Sequence, residues 1–158
     1  MSAAKHADTE IGRARIHDAE EISRLVEMYT KKARLLPRPL SEVYEHIRDF
    51  YVARVGEKPV GCCALHIYWK DLGEIRSLAV APRWQRRGIG SALVRACLQE
   101  ARRLRLKRVF ALTLIPGFFE RLGFRRVERN TLPMKIWSDC IRCPKFAECD
   151  EVAVVYEL

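Results

Sequence analysis

The chain predicts a mixed α/β (α+β) domain built around one central sheet. Apolar residues alternate with polar ones in several short segments, which favours strands, and recur at helical spacing in others. The strongest helix covers residues 88–104 and carries its apolar side chains on one face. With 158 residues, nearly half of them apolar, the chain is large enough for one domain with one core.

The elements follow one another as strand, two helices, three strands, helix, strand, helix and two late strands. The predicted strands cover, in order, 12–16, 50–55, 60–69, 74–80, 107–113, 124–128 and 151–156. Four helices are predicted. Asp18 and Ser41 are the N-caps of the first two, and the other two cover 88–104 and 116–122. Residues 1–10 are predicted to be disordered. Residues 11–158 form the single domain, with a cysteine-containing C-terminal segment at 138–150.

Composition narrows the possible surroundings and partners of the chain. No apolar stretch approaches the roughly 18 residues that span a bilayer, and the first ten residues contain no apolar signal segment. A cytoplasmic protein without a membrane partner is therefore expected. The formal net charge of +9 favours an anionic ligand. Nucleic acid, a phosphorylated cofactor and an acidic metabolite all satisfy that condition.

Six cysteines raise the question of a metal site. Cys140, Cys143 and Cys149 cluster near the C-terminus, but a structural zinc site usually needs four ligands. None of the four histidines is spaced to complete the set: His6, His17, His46 and His66. Reduced thiols are therefore predicted and no metal is assigned, although redox control through a cysteine pair stays open.

The segment from Glu74 to Leu93 carries the most chemical information. A strand ends at Val80, Pro82 blocks its continuation, and Gln85-Arg86-Arg87-Gly88-Ile89-Gly90 leads directly into a helix. Glycines allow close backbone approach, and a helix N-terminus offers unpaired N–H groups and a positive dipole end. Such a turn predicts a pyrophosphate site, or else an ordinary strand–turn–helix junction. The spacing matches neither a P-loop nor a dinucleotide fingerprint.

This segment resembles the acetyl-CoA signature of the GNAT acetyltransferase family, Q/R-x-x-G-x-G/A after a strand. A second family motif is matched by Phe118-Phe119-Glu120-Arg121-Leu122-Gly123-Phe124. The resemblance implies the GNAT fold, a mixed, mostly antiparallel sheet flanked by helices and splayed open between residues 74–80 and 107–113. It also implies acetyl-CoA as cosubstrate, no metal for the transfer, and a homodimer. The implied cofactor-binding residues are Leu78, Ala79, Val80, Gln85, Arg86, Arg87, Gly88, Ile89, Gly90, Ser91 and Phe119.

The resemblance also suggests how the transfer proceeds. An amine must lose a proton before it attacks a thioester, and Glu74 stands where the resembling enzymes carry a glutamate proposed as the base. The alternative is that Glu74 is only paired with Arg76. Many family members protonate the leaving thiolate with a tyrosine, but Phe119 stands there and has no hydroxyl. Thr113 is the expected substitute, unless the thiolate leaves unaided.

Local strings narrow the resemblance to the short, stand-alone bacterial N-acetylglutamate synthases. These strings include A-R-L-L-P-R-P-L at 33–40 and E-I-R-S-L-A-V at 74–80. The implied acceptor is L-glutamate and the implied process is arginine biosynthesis. Arg38 matches a carboxylate-binding arginine of that group, and Lys135 and Ser77 are further substrate-binding candidates.

Three other functions remain possible from the sequence. The acceptor could be another amine, such as a protein N-terminus, a polyamine or a drug. The fold could serve as a CoA sensor without catalysis, or the arginines could bind nucleic acid. Because no helix-turn-helix or zinc-finger spacing occurs, no nucleic-acid partner is predicted.

Overall fold

A seven-stranded sheet forms the centre of the protein. The computed structural model describes residues 9–33, 39–132 and 150–158, without the side chains of residues 30–33. The strands are β1 (Thr9–Arg13), β2 (Phe50–Val55), β3 (Lys58–Trp69), β4 (Leu72–Val80), β5 (Arg108–Thr113), β6 (Arg125–Val127) and β7 (Val152–Glu157). The helices are α1 (Ala19–Ala33), α2 (Leu40–Glu45), α3 (Ile89–Arg103) and α4 (Pro116–Arg121).

The strand order is β1-β2-β3-β4-β5-β7-β6, and every neighbouring pair is antiparallel except β4 and β5. The prediction of a mixed, mostly antiparallel sheet with flanking helices is therefore confirmed. Within the described ranges, no helix is both long and apolar enough to cross a membrane.

Helices cover both faces of the sheet, and alternation along the strands decides which side chains each helix meets. On β3, Cys63 and Leu65 point into the core under α3 and α4. Their neighbours Cys62 and Ala64 point to the opposite face, into the core under α1 and α2. The cysteines at 62, 63 and 97 are all buried, so they serve as small apolar side chains.

The sheet opens between β4 and β5. Only three residue pairs join these strands, and the last of them is Glu74 with Phe110. Beyond that pair, β4 remains bonded to β3 as far as Val80, while β5 remains bonded to β7 as far as Thr113. The two strands consequently diverge into a V-shaped gap whose apex lies at Glu74.

A bulge in β4 lies next to this gap. Arg76 pairs with Ala64 and Ala79 pairs with Cys62, so Ser77 and Leu78 together face the single residue Cys63. Ser77 has a φ of 57°, a left-handed conformation that is uncommon outside glycine. Such bulges bend a strand and increase its twist, and they are frequent beside active sites.

Most element boundaries agree with the sequence predictions, but the N-terminal part needs correction. Strand β1 begins at Thr9, so residues 9 and 10 are ordered, and it ends before the predicted 12–16 strand is complete. The chain turns early because residues 16–18 form a 3₁₀ turn, in which the Asp18 carboxylate accepts the Arg15 N–H at 2.7 Å. Helix α2 begins at Leu40 after Pro39, without a capping bond from Ser41.

An ion pair buried between α1 and β2 fixes this turn to the sheet. Arg54 donates two hydrogen bonds to the Asp18 carboxylate, one of them 2.6 Å long from Nη1 to Oδ1. Only 1% of Asp18 and 6% of Arg54 is exposed. Burial alone would raise the pKa of Asp18, but the hydrogen bonds from Arg54 and the Arg15 N–H outweigh it, so the pKa is lowered.

Replacing Asp18 by Asn should therefore destabilise the fold strongly. The substitution leaves the Arg54 charge buried without its counter-ion, which costs about 3 kcal/mol of unfolding free energy. Urea unfolding at neutral pH measures the loss. Glu57→Gln is the matched control, because it removes an exposed partner of Arg15 and should change stability by less than about 0.5 kcal/mol. Equal effects of the two substitutions would refute the buried-pair account.

The same pair predicts an acid-dependent loss of stability. Since the folded pKa of Asp18 is lowered, the unfolded chain binds the proton first as the pH falls. The contribution is complete above the unfolded pKa of about 3.9 and disappears as the pH falls through the folded value. Urea unfolding in a pH series should show a steeper acid limb for the wild type than for Asp18→Asn. Parallel curves would contradict this linkage.

Candidate active site

Glu74 occupies the apex of the gap between β4 and β5. Its neighbours across the sheet are His66 on β3 and Phe110 on β5. Only 2% of the residue is exposed, and its carboxylate lies 3.7 Å from the Arg76 guanidinium. A carboxylate at the closed end of a gap can accept a proton from a group bound within the gap, directly or through water.

A small pocket lies beside Glu74, on the sheet face covered by α1 and α2. Arg76 and Ser77 line it from β4, and His46 and Asp49 line it from the connection between α2 and β2. Apolar side chains such as Val26 and Phe50 form the rest of its wall. The pocket thus combines a largely buried guanidinium with hydrogen-bonding groups. Since Glu42 and Asp49 are acidic and Arg76 is basic, the pocket offers charges of both signs to a small polar acceptor.

The backbone of β4 faces the gap with hydrogen-bonding capacity to spare. Each strand alternates its N–H and C=O groups between its two neighbours. Among the described residues, no strand pairs with β4 beyond Glu74 on the side of β5. An extended chain with amide groups, such as pantetheine, can therefore lie along residues 75–80 as an added strand would.

The carbonyl of Val80 is already engaged at the open end of β4. It accepts hydrogen bonds from the Tyr29 hydroxyl and from the Gln85 side chain, the latter at 3.1 Å. The Gln85 side chain also bonds the Tyr29 hydroxyl. This side chain therefore points back to the sheet and ties the turn to the end of β4. A contribution of Gln85 to cofactor binding would have to come from its backbone.

The turn that follows has the conformation expected of an anion site. Arg86 and Gly88 have φ values of 62° and 80°, both left-handed, and Gly88 directly precedes α3. Alternating conformations of this kind turn successive N–H groups inward, and the helix N-terminus adds its positive dipole end. Ser91, in the first turn of α3, is partly exposed beside these groups. The structure thus brings together the predicted pyrophosphate-binding residues.

Basic and aromatic side chains surround this turn. The Arg87 guanidinium lies 4.8 Å from the ring centroid of Trp84, and Arg83 lies 6.0 Å from the same centroid. Such cation–π contacts hold the charges near the turn without neutralising them. The site therefore offers both backbone donors and fixed positive charge to a diphosphate.

Three of the predicted cofactor-binding residues direct their side chains into the cores. Ala79 and Ile89 are 3% and 5% exposed, so only their backbones can contact a ligand. Phe119 is 4% exposed, and its ring packs 5.1 Å from those of Phe118 and Phe124. Phe118 is the partly exposed ring of this group. It lies against Gly90, in the first turn of α3, directly after the turn at residues 85–88. The adjacent pair of phenylalanines in the sequence did not reveal which of them would face this turn.

Thr113 ends β5 on the other side of the gap. The residue is 6% exposed, and its hydroxyl oxygen accepts the Ile115 N–H at 2.9 Å. The hydroxyl hydrogen can still be donated, which is what a general acid requires. Alternation places this side chain on the sheet face opposite that of Phe110. Its role as the acid stays a prediction.

The described cysteines do not provide a nucleophile. Cys62 lies beneath the bulge and donates its thiol hydrogen to the Ser77 carbonyl at 3.4 Å. Burial raises the pKa of Cys62 to about 12. Contact with Cys97, together with burial, raises the pKa of Cys63. Since the thiolate is the reactive form, these thiols are inert at neutral pH.

Several predicted residues lie outside the described part of the chain. Arg38 and Lys135, the candidates for binding the acceptor carboxylate, are among them. So is the cysteine cluster at 140, 143 and 149.

Arg76 lines the pocket, but the sequence suggested only its pairing with Glu74. The sequence did offer one signal for a binding role: Arg76 is a charged residue on a predicted strand, two positions from the candidate base Glu74.

Comparisons with known proteins agree with this geometry. The model of the acetyltransferase (GNAT) family matches residues 15–124. An uncharacterised N-acetyltransferase of Chlorobaculum tepidum is 43% identical over 152 residues, which is 96% of this chain and 98% of that protein. An amino-acid acetyltransferase of Mycobacterium tuberculosis is 42% identical, over 84% of this chain and 77% of its own length.

Solved structures show the same fold with ligands. Rv2747 of Mycobacterium tuberculosis, in complex with CoA and NLQ, has a TM-score of 0.80 and 36% identity, and the match covers 94% of this chain and 99% of that one. N-acetylglutamate synthase of Neisseria gonorrhoeae, complexed with coenzyme A and N-acetyl-glutamate, has a TM-score of 0.84 and 27% identity. That match covers 95% of this chain but only 35% of the synthase.

The chain therefore belongs to the GNAT acetyltransferase family, and the resemblance inferred from its motifs is confirmed. It is an N-acetyltransferase of the GNAT type, with acetyl-CoA as its cosubstrate. The relatives include proteins named amino-acid acetyltransferases.

Gly88 should be required for cofactor binding. Alanine at its φ of 80° costs about 1–2 kcal/mol in backbone strain, although no atom blocks the added methyl group. Because relief of that strain shifts the turn away from the conformation that binds the diphosphate, Gly88→Ala should raise the dissociation constant for CoA about tenfold. Isothermal titration calorimetry measures it. Gly12→Ala is the control, since its Cβ also meets no atom and its φ is ordinary. Unchanged CoA affinity in Gly88→Ala would exclude this turn as the diphosphate site.

Proposed function

We propose that this enzyme transfers the acetyl group of acetyl-CoA to the α-amino group of L-glutamate, as an N-acetylglutamate synthase of arginine biosynthesis does. The observation that carries the proposal is the buried Glu74 at the apex of the gap, next to a pocket lined by Arg76 and Ser77. A candidate base and a candidate carboxylate-binding group thus lie side by side, 3.7 Å apart, where the acceptor would bind.

Arg76 is suited to hold an acidic acceptor. Its side chain is 12% exposed, and a guanidinium in such a shielded position binds a carboxylate through charge-assisted hydrogen bonds. Its guanidinium lies 3.7 Å from the Glu74 carboxylate, so an acceptor bound by Arg76 would lie close to the proposed base. A second carboxylate, as in glutamate, needs a further cation. Arg38 and Lys135 are the proposed sources of it.

The transfer itself uses few groups. The ammonium group of the acceptor gives a proton to Glu74, and the free amine attacks the thioester carbonyl. Backbone N–H groups of Leu78–Val80 donate to the carbonyl oxygen as it acquires negative charge. The C–S bond then breaks, and the second proton of the acceptor nitrogen passes to the CoA thiolate through the Thr113 hydroxyl or through water. Glu74 releases its own proton to solvent, so the products are the N-acetyl amine, CoA thiol and one proton. Atoms and charges balance without a metal or a covalent enzyme intermediate.

The relatives support an amino-acid acceptor. Amino-acid acetyltransferases of Mycobacterium and Neisseria match 84% of this chain at 42% and 32% identity. The chain spans only 31% of the Neisseria protein, so that likeness concerns one part of a longer enzyme. The basic net charge of +9 is also compatible with an acidic substrate.

The direct experiment is a turnover assay with a panel of amines. The purified protein is supplied with acetyl-CoA and, separately, with L-glutamate, L-glutamine, L-aspartate, spermidine and a short peptide. Mass spectrometry should detect the products, because the chain's own cysteines would react with thiol dyes. Efficient acetylation of glutamate and weak acetylation of the rest would support the proposal. If glutamate is inert while spermidine or the peptide is acetylated, the proposed substrate is wrong.

Removing the base should lower kcat and spare binding. Glu74→Gln retains the size of the side chain but cannot accept a proton, so kcat should fall about 10²- to 10⁴-fold. The KM for acetyl-CoA should stay within a factor of about three, since the pantetheine contacts are untouched. Steady-state kinetics measures both constants. An unchanged kcat in Glu74→Gln would remove Glu74 from the mechanism.

Removing the guanidinium should weaken acceptor binding instead. Arg76→Ala should raise the KM for glutamate about 10- to 100-fold, because a charge-assisted hydrogen bond contributes about 1.5–3 kcal/mol. Arg76→Lys keeps the charge without the forked geometry and should recover part of the loss. Arg108→Ala is a suitable control, since that arginine pairs with Glu157 at the surface. A KM for glutamate that rises equally in Arg76→Ala and Arg108→Ala would contradict this assignment.

A further inference from the structure

Two histidines and an aspartate converge beside the proposed acceptor pocket. His66 Nδ1 lies 3.0 Å from Asp49 Oδ2, and His46 Nδ1 lies 3.8 Å from the same oxygen. One ligand atom from each of the three residues lies within 4.8 Å of the other two. Neither the chemistry of acetyl transfer nor the family resemblance requires this arrangement.

We propose that His46, Asp49 and His66 bind a divalent zinc ion. Zinc takes imidazole nitrogen and carboxylate oxygen at about 2.0–2.2 Å, and a tetrahedral site therefore separates its ligand atoms by about 3.3 Å. The distance from Asp49 Oδ2 to His66 Nδ1, 3.0 Å, is shorter than that value, and the distance to His46 Nδ1, 3.8 Å, is longer. Shifts of about 1 Å or less would bring all three atoms to bonding distance, which is within the reach of side-chain rotation.

The local structure holds the ligands in position. Residues 47–49 form a 3₁₀ turn anchored by the buried Ile47, and the Asp49 N–H bonds the His46 carbonyl at 2.9 Å. His66 belongs to the β3 ladder, directly opposite Glu74. Its ring makes edge contacts with His46 at 5.4 Å and with Tyr68 at 5.0 Å. Both imidazoles are thus already adjacent, so binding would order few new groups.

Exposure of the cluster also suits a metal. The side chains of His46, Asp49 and His66 are 42%, 24% and 23% exposed, so an ion can enter from solvent. Two histidines, one carboxylate and an open position form a known kind of zinc site. Water would occupy the open position in the absence of another ligand.

The position of the cluster gives the ion a consequence for the enzyme. His46 and Asp49 line the same pocket as Arg76 and Ser77. A zinc ion there adds positive charge at the rim and can bind a carboxylate at its open position. The ion would therefore act on acceptor binding and not on the transfer step. Zinc binding is a property separate from the proposed function, so a binding measurement does not depend on which amine is acetylated.

The cysteines at 140, 143 and 149 are competing ligands, and the experiment must separate them from the histidine cluster. We would use the full chain with these three cysteines replaced by serine, freed of metal by chelation. Binding of Co²⁺ is followed by its visible absorption, and Zn²⁺ is then titrated by displacement. His66→Asn and Asp49→Asn test the ligands. His17→Asn is the matched control, since His17 is an exposed histidine that is not part of the cluster.

The proposal expects one Co²⁺ per chain, displaced by one Zn²⁺. His66→Asn and Asp49→Asn should each raise the dissociation constant for Zn²⁺ at least tenfold, and His17→Asn should leave it unchanged. Absence of binding in the triple-serine chain would overturn the proposal, as would binding that survives both substitutions. If the triple-serine chain does not fold, the same titrations are made on the unsubstituted chain. Thiolate ligation adds a near-ultraviolet charge-transfer band to the Co²⁺ spectrum. If Co²⁺ binds only at a site that shows this band, the proposed site at His46, Asp49 and His66 is refuted.

Discussion

The separation of β4 from β5 is the constraint on which the rest of the site depends. These two parallel strands share only three residue pairs, and the ladder ends at Glu74 and Phe110. Beyond that point β4 stays paired with β3 and β5 stays paired with β7, so the two strands diverge. The gap leaves backbone groups of β4 available to a ligand and places a buried carboxylate at its closed end. The bulge at Ser77 adds twist to β4 beside this gap.

The division of labour between the two sides of the site follows from this geometry. In the proposed mechanism, the turn before α3 provides backbone donors and arginines for a diphosphate, whereas the face under α1 and α2 provides the pocket for the acceptor. The proposal places the reacting atoms where the two sides join, near Glu74. Cys62 and Cys63 are buried and their pKa values are raised, so neither is suited to carry the acetyl group.

The sequence predicted the local features of this molecule well. Residues 50–55 form the predicted strand, and the anion-binding turn is encoded by contiguous residues whose glycine permits a positive φ. Contacts between distant residues could not be read in this way. Asp18 looked like a helix cap, but its main partner is Arg54, 36 positions away. His46 and His66 showed no metal-ligand spacing, because only the fold brings the α2–β2 connection next to β3.

The central claim is that the CoA arm binds in the gap along β4. Hydrogen–deuterium exchange, measured by mass spectrometry with and without CoA, tests it most directly. Bound CoA should slow the exchange of amides in residues 75–80 and 86–91, because the arm and the diphosphate cover these groups. Exchange in β2 should not change, since that strand is already paired on both sides. Protection confined to other parts of the chain, with residues 75–80 unaffected, would contradict the account.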